Sequence, residues 1–272
     1  MLRFVRRDAM DESDAEDPTD IFDTGLSNLF FIPPIAFSTS SPSAFYAYTP
    51  PRTASQPIQL RLPDPPANLT STLQANNLWL SSLYLADLLS LSEIIVDGKH
   101  VAELGAGAGL PGIVARRDCA PKSVLSTDWG VEEVLSVITG NFQRNCKGEG
   151  QWVVSGHEWG TDVSNLMKED GRLDVLLLAD VIWVTAAHQA LLNSVFRLLK
   201  PGGVAHITAG LHTGRGPLER FIVAARDRKA TVHEVREVKW VAEGGWAPND
   251  MEKDGREEER GVVVYLILEV PS

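Results

Sequence analysis

Short apolar runs alternate along the chain with longer amphipathic stretches. The runs at 100–104, 123–127, 151–156, 173–179 and 203–209 have the length and apolar density of buried strands. Between them, 110–117, 131–145, 186–199 and 216–229 have helical length and one polar face. This alternation predicts parallel strands joined by helical crossovers on both faces of one sheet. The segment 78–91 (LWLSSLYLADLLSL) is mostly apolar and predicts a further helix packed on that sheet. Pro201, Gly202 and Gly203 mark a break between a helix and the next strand. Segments 231–241 and 261–270 are rich in β-branched residues, with a polar stretch at 244–260 between them. They predict a terminal antiparallel hairpin.

The pattern is weaker upstream. Residues 1–20 are charged, and Asp11, Glu12, Asp14, Glu16 and Asp17 predict a solvated, unstructured tail, with an acidic docking arm as the alternative. Residues 33–57 hold many Pro, Ser and Thr, which suits irregular chain. Within them 44–48 is a short extended piece, and 58–62 (IQLRL) alternates apolar and polar as a half-buried strand does. The expected organisation is an acidic, Pro/Ser-rich, partly disordered extension over 1–57, with a small accessory hairpin, and one α/β domain over 58–272.

Composition narrows the partners. A length of 272 residues at 44% hydrophobic content suits one large core with an extension. A net charge of −11 argues against non-specific affinity for nucleic acid or an anionic membrane, but it leaves a basic protein substrate open. Two cysteines, Cys119 and Cys146, make neither a disulfide framework nor a metal site. They suit a reducing, cytoplasmic setting. No apolar run has the length of a membrane span.

The segment 101–115 (VAELGAGAGLPGIVA) carries the candidate chemistry. An apolar strand ends near Leu104, glycines follow at 105, 107, 109 and 112, and a helix begins near Leu110. Glycines let the backbone turn sharply and approach a ligand, and the helix start offers unpaired N–H groups. The pattern Gly107, Gly109, Gly112 matches a dinucleotide fingerprint, so the glycines alone leave that cofactor open. The acid Glu103, in E-x-G-x-G-x-G, is not part of that fingerprint. Asp128 ends the second predicted strand, about twenty residues on, where an acid accepts hydrogen bonds from ribose hydroxyls. A turn or helix-cap aspartate is its structural alternative. Trp159, in GHEWG, offers a plane for an adenine to stack on. His157, His188 and His212 sit near predicted strand ends and are read as ordinary polar contacts rather than as a base.

The segment 103–109 resembles motif I of the class I, Rossmann-like, seven-strand methyltransferases that bind S-adenosyl-L-methionine. Together with ELGAGAGLPGI, the segments TDW, NFQRN, HEWG and LLADVIW and the LW pair in the preceding helix resemble the eukaryotic nicotinamide N-methyltransferase-like group, which includes protein-lysine methyltransferases. IQLRL followed by LW is most similar to its fungal branch acting on the N-terminal region of elongation factor 1-alpha. The resemblance covers about residues 58–270. It implies that the last strand inserts beside the fifth. It also implies that Trp79, Gly105, Gly107, Asp128, Trp159 and Ala179 contact the cofactor and that Glu103, the motif acid, binds it near the ammonium. It implies that Asp180 holds a substrate amine, with a loop acid capping the next helix as the structural alternative. Trp183, standing where lysine enzymes of the group carry Tyr or Phe, would wall its path. The implied activity is methylation of a protein amine, a lysine or terminal α-amine, with no metal and no general base. The alternatives are a small-molecule N- or O-methyltransferase and a non-catalytic cofactor-binding module.

Overall fold

The computed structural model describes residues 4–7, 36–37, 45–52, 56–148, 151–167, 171–241, 245–249 and 261–272. The chain enters through three short strands, β1 (Phe4–Arg7), β2 (Ala36–Phe37) and β3 (Phe45–Tyr48). Then come β4 (Ile58–Leu60), α1 (Ala67–Leu73), β5 (Asn77–Leu78) and α2 (Leu80–Ser90). The strands β1, β3 and β4 form a small antiparallel sheet, while β2 pairs with β5. The expected accessory hairpin is present as β3 and β4, and it straddles residue 57. Phe4–Arg7 is a correction to the unstructured tail: it pairs along β3 in antiparallel register. The acids at 11–17 lie outside the described residues.

The main body follows with strands and helices alternating except between β8 and β9: β6 (His100–Leu104), α3 (Leu110–Asp118), β7 (Ser123–Asp128), α4 (Glu132–Asn145), β8 (Gln151–Gly156) and β9 (Leu173–Ala179). It continues with α5 (His188–Leu198), β10 (Leu199–Gly210), α6 (Gly216–Asp227), β11 (Thr231–Val241), β12 (Gly245–Pro248) and β13 (Val262–Glu269). One sheet runs in the order β12-β11-β13-β10-β9-β6-β7-β8. The pairs among β6 to β10 are parallel and those of β13 are antiparallel. As expected, the last strand sits beside β10. The short β12 adds an eighth strand to the edge, in a region the sequence pattern reads as mostly polar loop. A second correction concerns Pro201-Gly202-Gly203. Helix α5 ends at Leu198, and these residues lie inside β10 as an irregularity between Leu199 and Val204.

Alternation along the central strands feeds two cores. Val101, Val175 and Leu177 face α2, α3 and α4 and the small N-terminal sheet. Their neighbours Ala102, Leu104, Leu176 and Leu178 face α5 and α6. The strand order reverses between β6 and β9, and their ends open a crevice at the carboxyl edge. That is where open α/β sheets bind ligands.

Two further ties fasten the N-terminal sheet to this body. The Tyr48 hydroxyl donates to Asp87 on α2 at 2.6 Å, and Trp246 Nε1 on β12 donates to the same carboxylate at 2.8 Å. The side-chain amides of Asn141 and Asn145 on α4 each bond both backbone groups of one residue, Arg61 and Gln59 respectively, at 2.8–2.9 Å.

Candidate active site

The turn after β6 is built on glycine for two separate reasons. Gly105 has φ +68°, and a Cβ there would lie 2.7 Å from Val181 Cγ1 and 3.1 Å from Trp159 Cζ2, so only a bare backbone fits. Gly107 has φ +55° but open space on its Cβ side. Its N–H donates to Asp128 Oδ2 at 2.7 Å, and the Trp129 N–H donates to Oδ1 at 2.7 Å. Burial raises the Asp128 pKa, and these two donors partly oppose it. The end of β7 therefore holds the glycine turn in place through one carboxylate. Asn141 completes the support by donating to the Ala108 carbonyl at 2.9 Å.

Around this turn lies a cavity of about 260 Å³. Trp79, Gly105, Gly107, Asp128, Trp159 and Ala179, named from the sequence for the cofactor, all line it, and so do Asp180 and Trp183. Glu103 does not. Strand alternation turns its side chain to the face of Val101, beneath α3, where it accepts from the Ser126 hydroxyl at 2.9 Å and from the Gly112 N–H. A Cβ on Gly112 would sit 2.6 Å from Glu103 Oε2, so the fourth glycine makes room for that acid. Burial pushes the Glu103 pKa up to about 8. Its place is under the loop, not at the ligand.

The charged side chains of the lining are Asp128, Glu158 and Asp180, and among the described residues no Lys or Arg joins them. The large planes are Trp79, Trp129, Trp159 and Trp183. One wall comes from residues 72–79, at the end of α1 and through β5, of which the sequence reading named only Trp79.

Asp180 follows β9 with φ +58°, outside the usual range for a side-chain-bearing residue. Its N–H is held by the Thr208 carbonyl at 2.8 Å. Its Oδ1 accepts from the Gly210 N–H at 3.2 Å and meets His212 Nε2 at 3.1 Å. The His212 ring stacks on Trp79, centroids 4.8 Å apart and planes 19° apart, and lies 6.4 Å from Trp183. The polar contact expected of His212 is therefore made to Asp180, a partner the sequence did not indicate. The available signal was the strand order: β9 and β10 run in parallel with Ala179 opposite Thr208, so the residues just beyond them meet. The other two histidines do have ordinary partners. His157 bonds Ser194 Oγ at 2.8 Å and His188 bonds the Ile182 carbonyl at 2.7 Å, and burial lowers both pKa values.

A family described as lysine methyltransferase matches residues 69–223, more than half the chain and all of the glycine turn, Asp128 and Asp180. The chain belongs to this family. It is 30% identical over 164 residues to the protein N-terminal and lysine N-methyltransferase efm7 of Schizosaccharomyces pombe, covering 56% of this chain and 64% of that one. It is 31% identical over 192 residues to EFM7 of Cryptococcus neoformans, covering 66% and 61%. The matches thus span less than two thirds of these relatives' length. A Streptococcus mutans structure described as a SAM-dependent methyltransferase shares the fold, with a TM-score of 0.51 and 10% identity over 86% of this chain and 57% of that chain. S-adenosylmethionine is the cofactor that belongs with this family, and the lining suits it. It carries a sulfonium and an ammonium against one carboxylate, so acidic walls favour it.

Proposed function

We propose that the chain is an S-adenosylmethionine-dependent methyltransferase acting on an amine of a protein substrate, a lysine or a terminal α-amine. The observation that carries this reading is the lining itself: carboxylates and tryptophans, with no Lys or Arg among the described residues. The lysine methyltransferase family and the names of the relatives supply the substrate class. Asp128 would take the ribose hydroxyls, Trp159 the adenine face, and Gly105, Gly107, Ala179 and Trp79 the remaining contacts. Residues 58–272 would form the methyltransferase domain and 1–57 its extension, in a cytoplasmic setting.

When bound, the cofactor supplies a methyl group that is already electrophilic. The chain has to align the nucleophile and keep water out. Asp180 would orient the amine, and Trp183 and Trp79 would wall its approach. A lysine with a pKa near about 10.4 is mostly protonated at neutral pH. A carboxylate beside it favours that charged form, so the proton leaves to water before attack and no side chain serves as general base.

Labelled methyl transfer from S-adenosylmethionine into a cell extract, split into protein and small-molecule fractions, tests the reading. The label is expected in protein. Asp180→Asn should cut it at least about tenfold, since transfer depends on alignment, with cofactor affinity in calorimetry little changed. Label in the small-molecule fraction would replace the protein reading. Label unaffected by Asp180→Asn in a folded protein would remove the amine site.

A further inference from the structure

We propose that His212 is a positioning residue for the amine site: stacked on Trp79 and hydrogen-bonded to Asp180, it fixes that carboxylate at the cavity and sets, by its own charge, how strongly the carboxylate holds an incoming ammonium. The inference rests on the amine reading above.

The geometry separates two ends of one carboxylate. Both protein contacts of Asp180, from Gly210 and His212, use Oδ1. Oδ2 has no such partner among the described residues, and Asp180 lines the cavity, so the second oxygen is the one left for a ligand. His212 itself is held on two sides. Its plane lies on Trp79, and only 11% of its side chain is exposed. Trp79 and Trp183 both line the cavity, so the ring that fixes the acid also touches the walls.

The charge of the ring then matters. Burial opposes an imidazolium here, but the charge and hydrogen bond of Asp180 outweigh it and raise the His212 pKa above its ordinary value. Among the charged groups on the flanking segment, Arg215 is paired with Glu237 and Arg220 donates to Thr185. The charge acting on the ring is that of Asp180. A protonated His212 neutralises Asp180 and repels a second cation. A neutral His212 still donates through Nε2 and leaves the carboxylate its full charge for an ammonium. The hold on the amine should therefore weaken as pH falls through the His212 pKa, and the effect should appear in substrate saturation more than in the maximal rate.

The test uses the full chain, labelled S-adenosylmethionine and the protein fraction of a cell extract at varied concentration, across pH. The parent should show a half-saturation that rises on the acid side by up to about tenfold per pH unit, the limit for one proton. His212→Gln keeps a neutral donor and should lose that acid limb. His212→Phe keeps the stack without a donor and should raise half-saturation several-fold at every pH. Ring NMR on the parent and on Asp180→Asn gives a second readout, in which the Asp180→Asn change should lower the His212 pKa. A folded His212→Gln protein with the parent's acid limb, or a ring pKa indifferent to Asp180→Asn, would overturn the proposal. A parent that binds cofactor but labels no protein overturns the amine reading and this inference with it.

Discussion

At the scale of single residues, Asp128 does two jobs that a substitution would separate. It accepts the Gly107 and Trp129 N–H groups and also lines the cavity. Asp128→Ala should weaken S-adenosylmethionine binding by about 1–3 kcal/mol, the range for charge-assisted hydrogen bonds. Calorimetry at fixed pH measures it, and a lowered melting temperature with unchanged affinity would assign Asp128 to the turn alone. Glu103 makes a different prediction. Its pKa of about 8 in the fold, against 4.5 as the ordinary value, means the folded chain binds an extra proton between those limits. The stability this gives is complete below pH 4.5 and is lost as pH rises through about 8. Melting temperature should fall across that window by the equivalent of up to about 1.4 kcal/mol per pH unit, and Glu103→Gln should flatten the slope. An unaltered slope in Glu103→Gln would show that the acid titrates normally. The places of Gly105, Gly107, Asp128, Trp159 and Asp180 at the cavity were legible because each stands just after a strand. His212 and Glu103 were not. The first takes its meaning from an acid 32 positions away, and the second from which side of a strand faces the cavity.

At the scale of elements, α4 is the hinge between the accessory sheet and the cofactor turn. Asn141 and Asn145 stand one helical turn apart, and their amides reach alternate residues of the extended chain, Arg61 and Gln59. Only Asn141 also reaches Ala108 in the glycine turn. Asn145→Ala should therefore cost stability alone, about 0.5–1.5 kcal/mol, because its bonds to Gln59 are exposed and water can replace them. Asn141→Ala, at a buried site, should cost about 1–3 kcal/mol and weaken cofactor binding as well. Paired denaturation and calorimetry on the two variants check the split, and equal cofactor affinities would mean that the turn holds its shape without Asn141. In the sequence NFQRN served only as part of a resemblance. What its two asparagines bond could not be read, because the receiving strand lies some 80 residues earlier. The same holds for β12, where Gly245–Pro248 is short, carries one proline and acquires strand geometry only by pairing with β11.

At the scale of the molecule, most of the fold was legible because strands buried on both faces must be largely apolar, and the run Val175–Ala179 in β9 is the plainest case. Of the 72–79 wall only Trp79 was named, since the rest depends on where the chain returns over the sheet edge. The net charge of −11 and the acidic cavity act together on a cationic substrate. Half-saturation for the protein fraction should rise several-fold between about 0.05 and 0.5 M salt as screening sets in, while cofactor affinity changes less. A salt-independent value would mean that the charge does not steer the encounter. The placement of β13 between β10 and β11 has a consequence for how the protein is made. As the chain emerges from the ribosome, β10 presents a bare edge of unpaired N–H and C=O groups until residues 262–269 have been synthesised. The crevice at β6 and β9 can assemble well before then, so the nascent protein passes through an interval in which its binding site is formed and its sheet is still open to wrong partners.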